Sequence, residues 1–126
     1  MDRVNCFCGN PMDYKSCWGR YLEDGSHVPN AEALMRSRYT AYVLCKSEYL
    51  IETTHPKKRY LYTKKDIEAW SLENKWFKLE ILKSSETKVV FKAYFLDPDL
   101  QTQVHYESSD FELLKNVWYY VEGEFL

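Results

Sequence analysis

Apolar and polar positions along this chain follow two different periods. Between Asn30 and Cys45 the sequence NAEALMRSRYTAYVLC carries its apolar residues at a helical spacing. At about 100° per residue, Leu34, Ala41, Cys45, Ala31, Tyr42, Met35 and Tyr39 share one broad arc. Glu32, Arg36 and Thr40 lie opposite, with Glu32 and Arg36 spaced to pair. Asn30, following Pro29, is placed to cap this helix. Arg38 breaks the pattern by sitting inside the apolar arc. A guanidinium cannot shed its charge, so it must snorkel out, find a structural acceptor or face a polar pocket. Two shorter helices are expected next. One runs from Glu48 to Thr54 with Ser47 as its cap, before His55-Pro56. The other starts at Lys64, where Thr63 and Asp66 have capping-box spacing, and ends near Leu72.

From Lys75 onward the period changes to two. In Lys75 to Lys83, Phe77, Leu79 and Ile81 fall on one face and Lys78 and Glu80 on the other. Thr87 to Leu96 alternates again, with Val89, Phe91, Ala93 and Phe95 together. Ser84-Ser85-Glu86 and Asp97-Pro98-Asp99 read as turns. Gln103 to Leu114 is a third long strand, Asn116 helps turn the chain, and Val117 to Val121 is the fourth. Helices first, then strands joined by short turns, give an α+β fold: three helices on one face of a four-stranded antiparallel meander.

The third strand contains unusual polarity. His105, Glu107, Ser109, Phe111 and Leu113 share one face, and Val104, Tyr106, Ser108, Asp110 and Glu112 share the other. Phe111 and Leu113, set against Asp110 and Glu112, turn the first set toward the core. His105, Glu107 and Ser109 would then point inward, as Arg38 does. The arrangement is either a satisfied buried network or the lining of a pocket, unless a bulge at Ser108-Ser109 turns it outward. Arg38, Tyr42, His105, Glu107 and Ser109 are the candidate pocket residues. Glu107 is placed to pair with Arg38, and His105 has the chemistry of a proton donor or acceptor. No Ser-His-Asp order and no phosphate-cradling glycine loop is present.

Composition narrows the classes. The 126 residues suit one domain, and 45% hydrophobic content is enough for one core. The net charge of −2 gives no general attraction to nucleic acid or to an anionic membrane. No apolar run reaches membrane-spanning length and the first residues do not read as a signal peptide, so the expected compartment is the cytoplasm. Four cysteines there are expected as thiols or metal ligands rather than disulfides. Residues 1–29 stand apart, holding three of those cysteines and no helix or strand period. Cys6-Phe-Cys8 followed by Cys17-Trp18 has the look of a zinc knuckle. Three ligands are in the run, and His27 or Cys45 would have to supply a fourth. The alternative is a set of free thiols among Phe7, Tyr14, Trp18 and Tyr21.

These stretches resemble the YchJ family of small bacterial proteins. The resemblance rests on CFCG with YKSCWG, on NAEALMRSRYTAYVL, on EYLIETTHP, on HYESSDF and on VWYYVEGEF. It spans nearly the whole chain. It implies a cone-shaped fold like nuclear transport factor two (NTF2) for residues 30–126, and a degenerate SEC-C-like zinc motif for residues 1–29. Cys6, Cys8 and Cys17 match that motif, whereas Trp18 stands where the family pattern has its fourth metal ligand. The chain also ends at Leu126 without the second cysteine motif that many members carry. No established catalytic residue comes with the family. Three function classes follow: a pocket for a small ligand, a protein-interaction module using the N-terminal knuckle, or an acid–base enzyme using His105.

Overall fold

A computed structural model describes residues 28–126. The first helix, α1, runs Ala31–Val43, and the Asn30 side chain accepts a hydrogen bond from Ala33 N at 2.8 Å, as its capping role requires. The Arg36–Glu32 pair forms at 3.2 Å. Burial goes further round α1 than its apolar arc suggests, since Ser37 and Thr40 are buried along with Ala31, Leu34, Met35, Tyr39 and Ala41. Both hydroxyls are satisfied by the helix itself, Ser37 donating to Leu34 O and Thr40 to Arg36 O. The helix ends in a Schellman closure: Lys46 N donates to Ala41 O and Cys45 N to Tyr42 O. Cys45 takes the left-handed position there, at φ 56°.

Helix α2 is Ser47–Glu52, a single 3₁₀ turn covers Arg59–Leu61, and α3 is Lys64–Glu73. Ser47 is the first residue of α2 rather than its cap, and the Lys46 side chain in the cap position makes no capping hydrogen bond to the helix. Thr63 does cap α3, accepting from Asp66 N at 3.1 Å. No helix among the described residues is long and apolar enough to cross a membrane.

The strands β1 (Lys75–Ser84), β2 (Lys88–Leu96), β3 (Thr102–Leu114) and β4 (Val117–Phe125) form an antiparallel sheet in sequence order. The β3–β4 turn places Lys115 and Asn116 at φ 50° and 66°, the two positive angles that a tight two-residue hairpin demands. Helix α1 packs across β1, β2 and β4 and is backed by α2, which in turn meets α3. One cluster of core residues joins α1 to the sheet through Leu34, Met35, Tyr39, Leu79, Val89, Phe91 and Phe111. A second joins the helices through Ala41, Leu50 and Ile67. Val89, Phe91, Ala93 and Phe95 all face the core, as their alternation requires.

Bulges revise the alternation in two strands. Trp76 pairs with Phe95 and Lys78 with Tyr94, so Phe77 is an extra residue. The inward face of β1 therefore carries Trp76 and Leu79, and Phe77 lies outside, 55% exposed and against Tyr94. No bulge falls at Ser108-Ser109. The irregularity beside β3 lies on β4, where Asp110 pairs with Glu122 and Phe111 with Tyr120, leaving Val121 as the extra residue. That slip keeps Tyr120 opposite Phe111 and Phe125 opposite Glu107. Strand β4 also runs past Val121 to Phe125. Leu113, assigned inward by its parity, is exposed near the hairpin end.

Candidate functional site

The helices and the inward sheet face line a cavity of about 330 Å³. Arg38 and Tyr42 reach it from α1, and His105, Glu107 and Ser109 reach it from β3. All five candidate residues thus meet at one place. The walls are aromatic: Trp70, Trp76, Phe91, Tyr120 and Phe125 join them. Trp76 packs against Phe95 at 4.6 Å between ring centroids and against Trp70 at 6.0 Å. Edge-to-face and tilted contacts of this kind hold the rings in fixed orientations.

Arg38 is 5% exposed and forms no ion pair with Glu107, contrary to the pairing expected from their parity. The nearer acceptors win. Its Nη1 donates to Leu50 O at 2.8 Å, to Thr53 Oγ1 at 2.7 Å and to Thr54 Oγ1 at 3.4 Å. These groups belong to the C-terminal end of α2, where unpaired carbonyls attract a cation. The guanidinium also lies 4.4 Å from the centre of the Tyr120 ring. Its Nε and Nη2 make no hydrogen bond with the described residues.

Tyr120 is fixed from the other side by backbone. Its N–H donates to Thr53 O at 2.8 Å, and its carbonyl accepts from His55 N at 2.7 Å. Thr54 and Tyr120 thereby form a short parallel bridge between the segment after α2 and β4. His55 is buried and satisfied separately, with Nδ1 accepting from Lys57 N and Nε2 at 3.1 Å from Glu112.

Glu107 is the centre of the polar group. It is 8% exposed and gathers three neighbours. Oε1 lies 2.8 Å from His105 Nε2, the Ser109 hydroxyl donates to Oε2, and the Tyr120 hydroxyl approaches Oε2 at 3.4 Å. Burial pushes the Glu107 carboxyl up, but the hydrogen bonds from His105 and Ser109, with the charges of His105 and Arg38, outweigh it and hold the group below its ordinary range. Glu107 is therefore ionised and can only accept. It follows that His105 presents an N–H at Nε2 and, when neutral, a lone pair at Nδ1. Nδ1 has no hydrogen-bond partner among the described residues. The imidazole is held between Phe125 at 4.9 Å, Phe91 at 6.0 Å and Trp76 at 6.4 Å. Burial, reinforced by the Glu107 charge, raises Tyr120 far above the usual phenol value; burial also raises Tyr42, against the pull of Arg38. Both phenols remain neutral donors.

Gly123 makes room for this carboxylate. A Cβ built there would stand 2.9 Å from Glu107 Cγ and would overlap its carboxylate atoms. A lone glycine inside a strand pattern signals such an approach, and the VEGEF sequence carries that signal. Trp76, Tyr120 and Phe125 could not be placed by alternation alone, because each lies next to or beyond a bulge. The zinc reading of Cys6, Cys8 and Cys17, with Trp18 beside them, lies outside the described residues. Among the described residues no cluster of three potential metal ligands occurs.

Among the described residues, the combination of three helices, a four-stranded antiparallel meander and a cavity between them defines an NTF2-like α+β domain. The family described as "YchJ, middle NTF2-like domain" matches residues 30–123. A UPF0225 protein of Haemophilus influenzae is 36% identical over 123 residues, covering 94% of this chain and 76% of that one. A UPF0225 protein of Photorhabdus laumondii is 35% identical over 125 residues, covering 94% and 79%. The solution structure of a SEC-C motif containing protein from Rhodopseudomonas palustris superposes with a TM-score of 0.88 at 35% identity, covering 98% of this chain and 99% of that one. The crystal structure of a SEC-C motif containing protein from Psychrobacter arcticus gives 0.76 at 34% identity, covering 94% and 80%. The chain belongs to the YchJ family.

Proposed function

We propose that the cavity binds a small, flat molecule carrying a carbonyl or carboxylate oxygen. The observation that carries this reading is Arg38. A nearly buried guanidinium uses only Nη1 on the described residues, and Arg38 lines a cavity of about 330 Å³. That volume lies at the lower end of the range typical of small-molecule sites. Aromatic walls supply apolar contact area, and Arg38, Tyr42 and Tyr120 supply donors that fix one end of a ligand. Glu107 next to Arg38 balances the charge, so an uncharged carbonyl compound fits as well as a carboxylate.

Quenching of Trp70 and Trp76 fluorescence by a series of aromatic ketones and aromatic acids tests the reading. Saturable quenching is expected, weakened at least tenfold in Arg38→Met. Arg38→Lys, which keeps the charge and loses the planar fork, should fall between them. Quenching that never saturates, or that both folded variants retain in full, would sink the proposal.

A further inference from the structure

We propose that His105 and Glu107 form a proton-transfer dyad, with His105 Nδ1 as the base that meets the ligand. This rests on the cavity being a ligand site and adds a reaction to it. Three observations converge. Glu107 is ionised and sits 2.8 Å from Nε2, which fixes both the tautomer and the orientation of the ring. The opposite nitrogen has no partner among the described residues and belongs to a side chain that borders the cavity. Phe91, Trp76 and Phe125 pack around the imidazole, which leaves it partly buried with apolar rings as its neighbours. Ser109 and the Gly123 gap hold the carboxylate in turn. A purely structural buried network would satisfy both ring nitrogens, as His55 does with Lys57 N and Glu112.

The substrate class follows from what the cavity offers. A base at one wall, with an Arg38 guanidinium and neutral Tyr42 and Tyr120 hydroxyls also on the cavity, suits removal of a proton from carbon next to a carbonyl. The C–H bond breaks, its proton moves to His105 Nδ1, and its electron pair moves onto the carbonyl oxygen as an enolate. Arg38 and the phenols can stabilise that oxygen. In a β,γ-unsaturated carbonyl compound the enolate is a dienolate, and return of the proton to its γ-carbon completes an isomerisation, with no oxidant, reductant or metal required. Glu107 acts as a positioning residue, stabilising the imidazolium while the proton is held.

The flat probe 5-nitrobenzisoxazole isolates the step. A base removes its C3 proton, the C–N double bond becomes a nitrile, the N–O bond breaks, and a coloured nitrophenolate forms. The proton passes from Nδ1 to water, so the balance closes. Binding of the probe is read separately by tryptophan quenching. The full chain should convert the probe at a rate roughly 10²-fold or more above an equal concentration of free imidazole. His105→Ala should lose at least 10²-fold in kcat, and added imidazole should restore a measurable part. Glu107→Gln should lower kcat by about tenfold or more with KM nearly unchanged. A probe that binds saturably but is not converted, or conversion that survives His105→Ala, overturns the dyad and leaves the binding site standing. Failure of the probe to quench at all overturns both the site and the dyad.

Discussion

Replacing Gly123 by alanine tests the polar centre through a single methyl group. At a strand position with no backbone strain, glycine to alanine should stabilise a protein by about 0.5–1 kcal/mol. Here the added Cβ would fall 2.9 Å from Glu107 Cγ and closer to the carboxylate itself. The carboxylate must swing away, breaking its bonds with His105 and Ser109 and its longer approach to Tyr120. Hydrogen bonds to a charged group are worth about 1.5–3 kcal/mol each. Losing the two shorter ones costs about 3 kcal/mol at the low end, so the net change is destabilisation by about 2 kcal/mol or more. The control is Glu107→Ala, which removes the obstacle. In that background Gly123→Ala should revert to its ordinary sign and stabilise by about 0.5–1 kcal/mol. Urea unfolding of the four proteins of this cycle gives a coupling of about 3 kcal/mol. A Gly123→Ala protein as stable as wild type, or a penalty of the same size in both backgrounds, would refute the account of how Glu107 is seated.

Four further outcomes are expected. Cys45→Gly should stabilise the protein by about 0.5–1 kcal/mol in urea titrations, because the Schellman position at φ 56° costs any residue with a Cβ. Changing Lys115→Asn together with Asn116→Gly should add a similar amount in the same assay, since both positions have positive φ. Arg38→Met should cost about 2–4 kcal/mol by removing a charged donor from the end of α2, read from the midpoint of urea unfolding. Glu107 has a folded pKa below its ordinary 4.5, so the folded state holds its proton less readily than the unfolded one. Its contribution is complete above the ordinary value and is lost as pH falls through the lower folded value. Acid titration of stability should therefore be flatter in Glu107→Gln than in wild type over that window.

The helical part of the fold was legible because its signals are local. Asn30 and Thr63 declare their caps by spacing, and the arc of α1 is long enough to define a face. The same arc marks Arg38 as the one charged residue among its apolar neighbours. Period two correctly assigned His105, Glu107 and Ser109 to the inner face because no bulge interrupts the β2–β3 pairing. It failed at Phe77, where an extra residue inverts the parity and exchanges Phe77 for Trp76. It also failed to reach Tyr120 and Phe125, which lie on either side of the slip at Val121. The Arg38–Glu107 ion pair was a reasonable inference from two inward charges. The backbone end of α2, which sequence spacing does not bring into view, offers Arg38 closer acceptors.

The bridge between Thr54 and Tyr120 has a consequence for the behaviour of the sheet toward other molecules. An open sheet presents two rows of unpaired backbone groups that invite further strands, and proteins must blunt them to stay soluble. On β4 the middle of that row is occupied, because the Tyr120 N–H and carbonyl are bonded to Thr53 and His55. On β1 the row is broken by bulges at Phe77 and between Ile81 and Lys83, and Lys75, Lys78 and Lys83 add charge along it. Edge-to-edge growth is thereby resisted on both sides. The segment that ties down Tyr120 on the cavity wall also blunts the edge on which another strand could add.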